Sequence, residues 1–426
     1  MKVAVIGGGS TYTPELADGF ARLRDRLPVD ELVLMDPSGE RLQAVGGMAS
    51  RIFAAQGHPG RVVTTRHTDE ALEDADAVLV QLRVGGQEAR GQDETWPLEC
   101  GCVGQETTGA GGLAKAMRTV PVVLDIAERA RRANPKAWIV NFTNPVGIVT
   151  RALLQEGHRA VGLCNVAIGL QRHLADLLSA RADAVSLDHF GLNHLTWVRG
   201  VFVDGDPADQ LPGLLSTRAG ELAAHLDLPV SALELTGMLP SYYLRYYYEH
   251  DAVVRELQGR PTRAHEVAQI EQELLALYAD PTVTTKPALL ERRGGAYYSE
   301  AAVALVAGLM SPPAHAGGSA DLQVVNARND GVLPFLPDDA VIEVPASVTG
   351  AGATPRPVEP VPPIAAGLIA HVFAYEQLAL DAALHGGRTR TERALLAHPL
   401  IGQLTLAQEL ADRLIAANRS HLSWAQ

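Results

Sequence analysis

The segment Ile6-Gly-Gly-Gly-Ser-Thr-Tyr-Thr-Pro14 follows a short apolar run, Lys2–Ile6, and precedes a helix-like stretch. A strand that runs into Gly-x-Gly and then a helix turns backbone N–H groups and a positive helix end toward one point, which suits a pyrophosphate. Gly7, Gly9, Ser10 and Thr11 are the candidate dinucleotide contacts, with Tyr12 where a third glycine is usual. Asp36 closes the next strand-like run. A carboxylate there accepts bonds from ribose hydroxyls and repels a 2′-phosphate, which favours NAD over NADP. The same residues also suit a Gly-rich turn in a nucleotide-free α/β protein, or a flavin site.

Other residues gather at predicted strand ends. Ile139–Pro145 places Asn141 and Asn144 there, and Gly162–Gly169 does the same with Cys164 and Asn165. In an open parallel sheet that edge is where ligands sit. His194 falls in an otherwise apolar strand, Gly191–Trp197. One Cys and one His so far apart carry no metal motif by spacing, and a buried free Cys behaves as a small hydrophobe. Cys100 and Cys102 form a separate Cys-x-Cys without a second pair and read as structural. Arg83 and Arg90 flank a loop just after a strand, and Arg263 opens a helix. Guanidinium forks suit phosphate, yet Arg is the default cation of a chain in which nearly all of the 36 Lys plus Arg are Arg. Ser241–Tyr248 is aromatic in helical phase and reads mainly as packing, with one ring available as an acid or base.

The elements that position these residues alternate. Strands are predicted at Glu31–Asp36, Arg61–Thr65, Asp76–Leu82, Ala137–Phe142 and Ala160–Cys164, with helices at Glu15–Leu27, Gly39–Ala54, Leu113–Ala133 and Val146–Gln155. Thr13 is the expected N-cap of the first helix. That alternation predicts an α/β fold with a Rossmann-like, doubly wound parallel sheet at the N-terminus. From His189 the pattern turns antiparallel, with helices at Leu244–Leu257, Arg263–Tyr278, Ser299–Leu309, Ile364–His385 and Leu404–Asn418. Leu322–Ala327 and Ala340–Pro345 read as extended, and Thr349–Pro363 as a loop. The expected division is a nucleotide-binding domain over 1–190 and an α+β domain over 191–426 that completes the site.

With 426 residues and a net charge of −13, the chain is expected to bind neither nucleic acid nor membrane surfaces. No run approaches the roughly 18 apolar residues of a membrane span. Three cysteines make no disulfide scaffold. A soluble, cytoplasmic enzyme is the expectation.

Taken together, these residues resemble glycoside hydrolase family 4, the NAD- and metal-dependent glycosidases, and most closely its 6-phospho-β-glucosidase branch. The resemblance runs from Ile6–Glu15 through Val103-Gly-Gln-Glu-Thr-Thr-Gly109, Asn141–Pro145, Gly162–Ile168, Gly191–His194 and Tyr243-Leu-Arg-Tyr-Tyr247 to Asn326–Gly331 and His398-Pro-Leu400. It implies that Cys164 and His194 bind a divalent ion, usually manganese. Softness alone would favour zinc, iron or cobalt, so Mn²⁺ rests on the resemblance. It implies that Tyr243 is the base, that Arg90, Asn144 and Arg263 contact the sugar phosphate, and that Glu106 lies near cofactor and sugar. The α-glucosidic members carry Asp after the Cys. Asn165 stands here, as in the β members, and an amide is no acid. Ala167 replaces a Pro common in that branch, which bears on sugar preference.

The implied reaction differs from two-carboxylate hydrolysis, to which this family is a named exception. Bound NAD would oxidise C3 of the sugar, which makes the C2 proton acidic. Tyr243 would remove that proton, the C1–oxygen bond would break, water would add, and C3 would be reduced again. A homodimer or homotetramer is also implied. The competing readings are an NAD-dependent 2-hydroxy-acid dehydrogenase and a non-catalytic NAD-binding regulatory protein.

Overall fold

The computed structural model describes residues 1–294, 297–312 and 321–426. Six strands are parallel: β1 (Lys2–Ile6), β2 (Glu31–Met35), β3 (Arg61–Thr65), β4 (Ala77–Val80), β5 (Trp138–Asn141) and β6 (Ala160–Gly162). They lie in the order β3-β2-β1-β4-β5-β6. The winding direction reverses between β1 and β4, and the crevice at such a reversal is where this architecture binds ligands. Alternate residues explain why the central strands are apolar throughout. Ala4, Ile6, Val78 and Val80 enter one buried cluster, while Val3, Val5, Ala77 and Leu79 enter the other. Helices cover both faces of the central strands β1 and β4, which are apolar on both sides, whereas the edge strand β3 carries Arg61, Thr64 and Thr65.

The second half supplies two further sets of strands. β7 (Val185–Leu192), β8 (Leu195–Val203) and β9 (Leu239–Pro240) form a small antiparallel sheet. β10 (Asp321–Arg328), β11 (Val341–Thr349) and β12 (Gly352–Pro355) instead extend the first sheet beyond β6. β10 is antiparallel to β6, with Asn326 opposite Gly162. The molecule is thus mixed α/β, with a parallel sheet at the N-terminus and a separate antiparallel sheet in the second half.

Arg61–Thr65, Val146–Gln155 and Leu404–Asn418 form where the sequence places them. Four expectations need correction. His194 is not inside a strand. It occupies the two-residue turn between β7 and β8 at φ +64°, and the pattern hid that turn because both flanking strands are apolar. The Thr349–Pro363 loop contains β12, which pairs with β11. Leu244–Leu257 is broken at Glu249 (φ −124°) into Arg245–Tyr248 and His250–Gln258. Thr13 lies inside the first helix, Thr13–Arg22, and Tyr12 takes the cap position. Among the described residues one helix, Pro363–His385, is long and apolar enough by composition to cross a membrane. Its Ile369, Val372 and Phe373 side chains pack into the main core, and the helix lies against Gly109–Ala133.

Candidate active site

The loop after β1 is shaped by close approaches. Gly7 and Gly8 both donate to the Met35 carbonyl, at 3.0 and 2.8 Å, which holds the loop against the end of β2. Gly7 has φ +88°, which favours glycine, and a Cβ there would lie 2.8 Å from the Gln81 carbonyl oxygen. A Cβ on Gly9 would sit 2.6 Å from Asp36 Cγ. Asp36 accepts from Gly9 N at 3.2 Å and from Ser38 N at 3.0 Å, so its carboxylate stands directly beside the glycines. Ser10 Oγ accepts from Tyr12 N at 3.2 Å. Thr11 is fully buried. Its hydroxyl accepts from Arg293 Nε at 3.1 Å and donates to Glu271 at 3.4 Å. The bare backbone cradle and the adjacent carboxylate fit a dinucleotide, with the pyrophosphate at the helix start.

A cavity of about 770 Å³ connects to this loop through Arg293, which lines it and bonds Thr11. Arg90, Asn165, Tyr243, Arg263 and Arg293 are in its wall. Arg90 comes from the helix Gly86–Glu99, which the sequence pattern did not reveal because its inward residues include Asp93 and Glu94. Arg90 Nε pairs with Glu94 at 2.7 Å and Glu106 at 3.2 Å. Glu94 also accepts from Ala264 N at 2.8 Å, which ties that helix to the start of the helix Arg263–Ala279. Arg263 itself is half-exposed at the rim, bound to Glu266 at 2.9 Å and the Arg292 carbonyl at 2.9 Å. Asn144 Oδ1 is buried without a hydrogen-bond partner among the described residues, an acceptor that a ligand donor can satisfy.

Glu106 is the centre of a cationic knot. Arg83 and Arg90 pair with it, and Lys115 reaches it at 2.6 Å. Burial raises its pKa, but Arg83, Lys115 and Arg90 override that and hold the carboxyl well below the usual range. Lys115 is itself pulled down to about 7 by burial, against the attraction of Glu106. Two carboxylates, Glu94 and Glu106, stand among three basic groups, so with Lys115 protonated a net positive charge remains beside the cavity, which suits a phosphorylated ligand.

Cys164 lies in the connection between β6 and the helix Val166–Leu178. Burial, then the Glu343 charge, pushes its thiol up to about 12, and contacts with the backbone of Val166 and Asn165 and the side chain of Asn193 pull the other way. His194 is buried, with Nδ1 3.2 Å from Thr107 Oγ1. Burial drags its imidazolium down to about 4, so the ring is neutral near pH 7 and keeps a lone pair for a metal. The ring of Tyr243 lies flat on His194, with centroids 3.6 Å apart and planes 5° off parallel. Burial, followed by the charges of Cys164 and Glu106 and by Tyr242, pushes the Tyr243 phenol above its ordinary range, while Arg90 pulls it down.

Among the described residues no three His, Cys, Asp or Glu side chains converge as a metal cage. A thiol and a neutral imidazole in neighbouring positions still fit a divalent ion with open coordination positions, the arrangement of a catalytic rather than a structural metal. Cys100 and Cys102 stand apart. Cys100 donates to Glu409 at 3.4 Å, and burial pushes both thiols up to about 11. Asn141 is committed to scaffold bonds with Thr143, Val146 and Thr150. Lys115, Arg293, Asn193 and Glu343 belong to the site but lie outside any pattern of spacing. Only their burial and mutual contacts reveal them.

Comparison with known proteins bears on what this arrangement is. The description "Family 4 glycosyl hydrolase" matches residues 2–180, and "Family 4 glycosyl hydrolase C-terminal domain" matches residues 189–401. A 6-phospho-β-glucosidase of Escherichia coli is 36% identical, over 99% of this chain and 96% of its own. The 6-phospho-β-glucosidase of Thermotoga maritima, solved with manganese, NAD⁺ and glucose 6-phosphate, superposes with a TM-score of 0.89 at 33% identity, over 99% of each chain. A malate dehydrogenase of Salinibacter ruber, at 17% identity and TM-score 0.51, shares the fold alone. With matching models over both halves and relatives along its full length, the chain is a glycosidase that belongs to glycosyl hydrolase family 4.

Proposed function

We propose that this enzyme hydrolyses 6-phospho-β-glucosides by elimination and addition across C1 and C2 of the sugar, using NAD and a divalent ion, Mn²⁺ above others. The observation that carries this reading is the convergence of Cys164, His194 and Tyr243 beside the Arg83–Arg90–Lys115–Glu106 knot. NAD at Gly7, Gly9, Ser10, Thr11 and Asp36 supplies reversible hydride exchange at a sugar carbon, and the ion at Cys164 and His194 supplies Lewis acidity. Tyr243 is the base for the C2 proton. Its phenol ionises with difficulty in a buried site, and Arg90 is the protein cation that opposes this. Arg90, Asn144 and Arg263 hold the phosphorylated sugar, and Glu106 orients Arg90 against it. Asn165 lines the same cavity and cannot donate a proton as an acid, which favours β-linked substrates.

The dehydrogenase reading is left with a shared fold and no matching substrate set. A regulatory protein would not need Cys164, His194 and Tyr243 together. The division into residues 1–190 and 191–426 is supported by the boundary between the two matching family models. A phosphorylated sugar is retained inside a cell, so the cytoplasm is the proposed location. A homodimer or homotetramer is the proposed assembly, with no nucleic-acid or membrane partner. The test is p-nitrophenyl 6-phospho-β-glucoside with Mn²⁺, with and without catalytic NAD⁺. Hydrolysis that needs both, without NADH accumulating, is expected. Stoichiometric NADH release would instead favour the dehydrogenase.

A further inference from the structure

Glu343, on β11, is 1% exposed. Its Oε2 accepts from Asn193 Nδ2 at 2.8 Å and from Asn326 Nδ2 at 3.0 Å. Both partners lead to the segments that carry Cys164 and His194. Asn193 immediately precedes His194 in the β7–β8 turn. Asn326 lies opposite Glu343 in the β10–β11 ladder and opposite Gly162 on the other side, two residues before Cys164. One carboxylate is therefore bonded to strands of both sheets at the point where they meet.

Burial raises the pKa of Glu343, but His189, then Asn193 and Asn326, override that and hold the carboxyl below its usual range. Among the described residues no Lys or Arg lies within ion-pair distance, and the one basic neighbour is His189, whose Nε2 is 3.4 Å from Oε1. The two amide donors favour the ionised form without adding charge, so the buried carboxylate has no permanently charged cation beside it among the described residues. A thiolate at Cys164 would bring a second buried negative charge into the same place. The nearby Glu106 carboxylate is already paired with Arg83, Arg90 and Lys115.

We propose that Glu343 is a positioning residue of the metal centre, holding the Asn193–His194 turn in place and supplying, without ligating, the second negative charge that with the Cys164 thiolate neutralises a divalent cation. This rests on the assignment of Cys164 and His194 as ligands. A dication, one thiolate and one carboxylate sum to zero.

The experiment titrates NAD-loaded enzyme with Mn²⁺ and with Co²⁺ by calorimetry, and follows the cobalt–thiolate absorption. Glu343→Gln keeps an acceptor for both amides and removes the charge. It is expected to weaken both metals about tenfold to hundredfold, the range for partners just outside a metal's ligands. Melting of the metal-free protein and NAD affinity should not fall, and Glu343→Asp should restore most of the metal affinity. Metal affinity within threefold of the parent in Glu343→Gln overturns the proposal, as does a parallel loss of NAD affinity or of the fold, which would make Glu343 a scaffold group. Cys164→Ser separates the two assignments. If it abolishes metal binding while Glu343→Gln does not, the ligand assignment stands and the Glu343 proposal falls. If it leaves metal binding intact, both fall.

Discussion

Tyr243 covers the face of His194, so the proposed base and the proposed ligand share one desolvated patch. Tyr243→Phe keeps that stacking and removes only the hydroxyl. The expected outcome is loss of turnover by at least 10²-fold, within the usual contribution of general acid–base catalysis, with NAD affinity unchanged in a fluorescence titration. Cys164→Ser should weaken Mn²⁺ binding far more than Cys100→Ser or Cys102→Ser, and equal effects of the three would refute the ligand assignment. Gly9→Ala puts a methyl group 2.6 Å from Asp36 Cγ and should weaken NAD binding with little loss of stability, read by calorimetry and by melting. Gly7, Gly9 and Asp36 stand out by spacing alone, whereas Cys164, His194 and Tyr243 are picked out only by the family resemblance. Glu343, Asn193, Lys115 and Arg293 are not legible in the chain, because each takes its meaning from partners distant in sequence.

At the level of elements, legibility followed apolar periodicity. β3 and the Val146–Gln155 helix have clean patterns, and both form as read. The Gly86–Glu99 helix was missed for the opposite reason: its inner face is charged. Asp93 on that helix meets Arg118 of the Gly109–Ala133 helix in a fully buried, two-pronged pair at 3.0 and 2.6 Å, and Arg118 also bonds Asn418 at the end of the helix Leu404–Asn418. Three helices are clamped there. Arg118→Met strands a buried carboxylate and should cost about 3–5 kcal/mol in denaturant unfolding. A second buried acid, Glu376 on Pro363–His385, sets a pH response. Burial raises it from 4.5 to about 8, against the pull of Arg151. The folded state thus holds a proton that the unfolded chain releases above about pH 4.5. Its stabilising contribution is complete below that pH and is lost as pH rises through about 8, with a slope near 1.4 kcal/mol per pH unit. Glu376→Gln should flatten that part of the stability profile measured by thermal melting.

Across the whole molecule, a net charge of −13 coexists with a site suited to a phosphorylated sugar. Local excess of positive charge around Glu106 has to work against the global field. Raising the salt concentration screens the long-range repulsion more than the short, buried contacts. The expected result is a KM for the phosphorylated substrate that falls modestly with moderate salt, measured against an unphosphorylated glucoside as control. Fold class was legible at this scale because six alternating strands and helices admit few arrangements. The extension of the first sheet by β10–β12 was not, since nothing local to Asn326 says that it will pair with Gly162.

That single pairing has a consequence for how the chain is made. During synthesis β1 to β6 emerge first, yet the outer side of β6 stays an open edge until β10 arrives, after most of the second half has been translated. Open strand edges invite pairing with other chains, and contacts between distant segments form slowly. A nascent chain stalled after residue 190 should therefore be prone to aggregate and to recruit chaperones. One stalled beyond β12 should not, which pulse labelling of arrested ribosome complexes can measure.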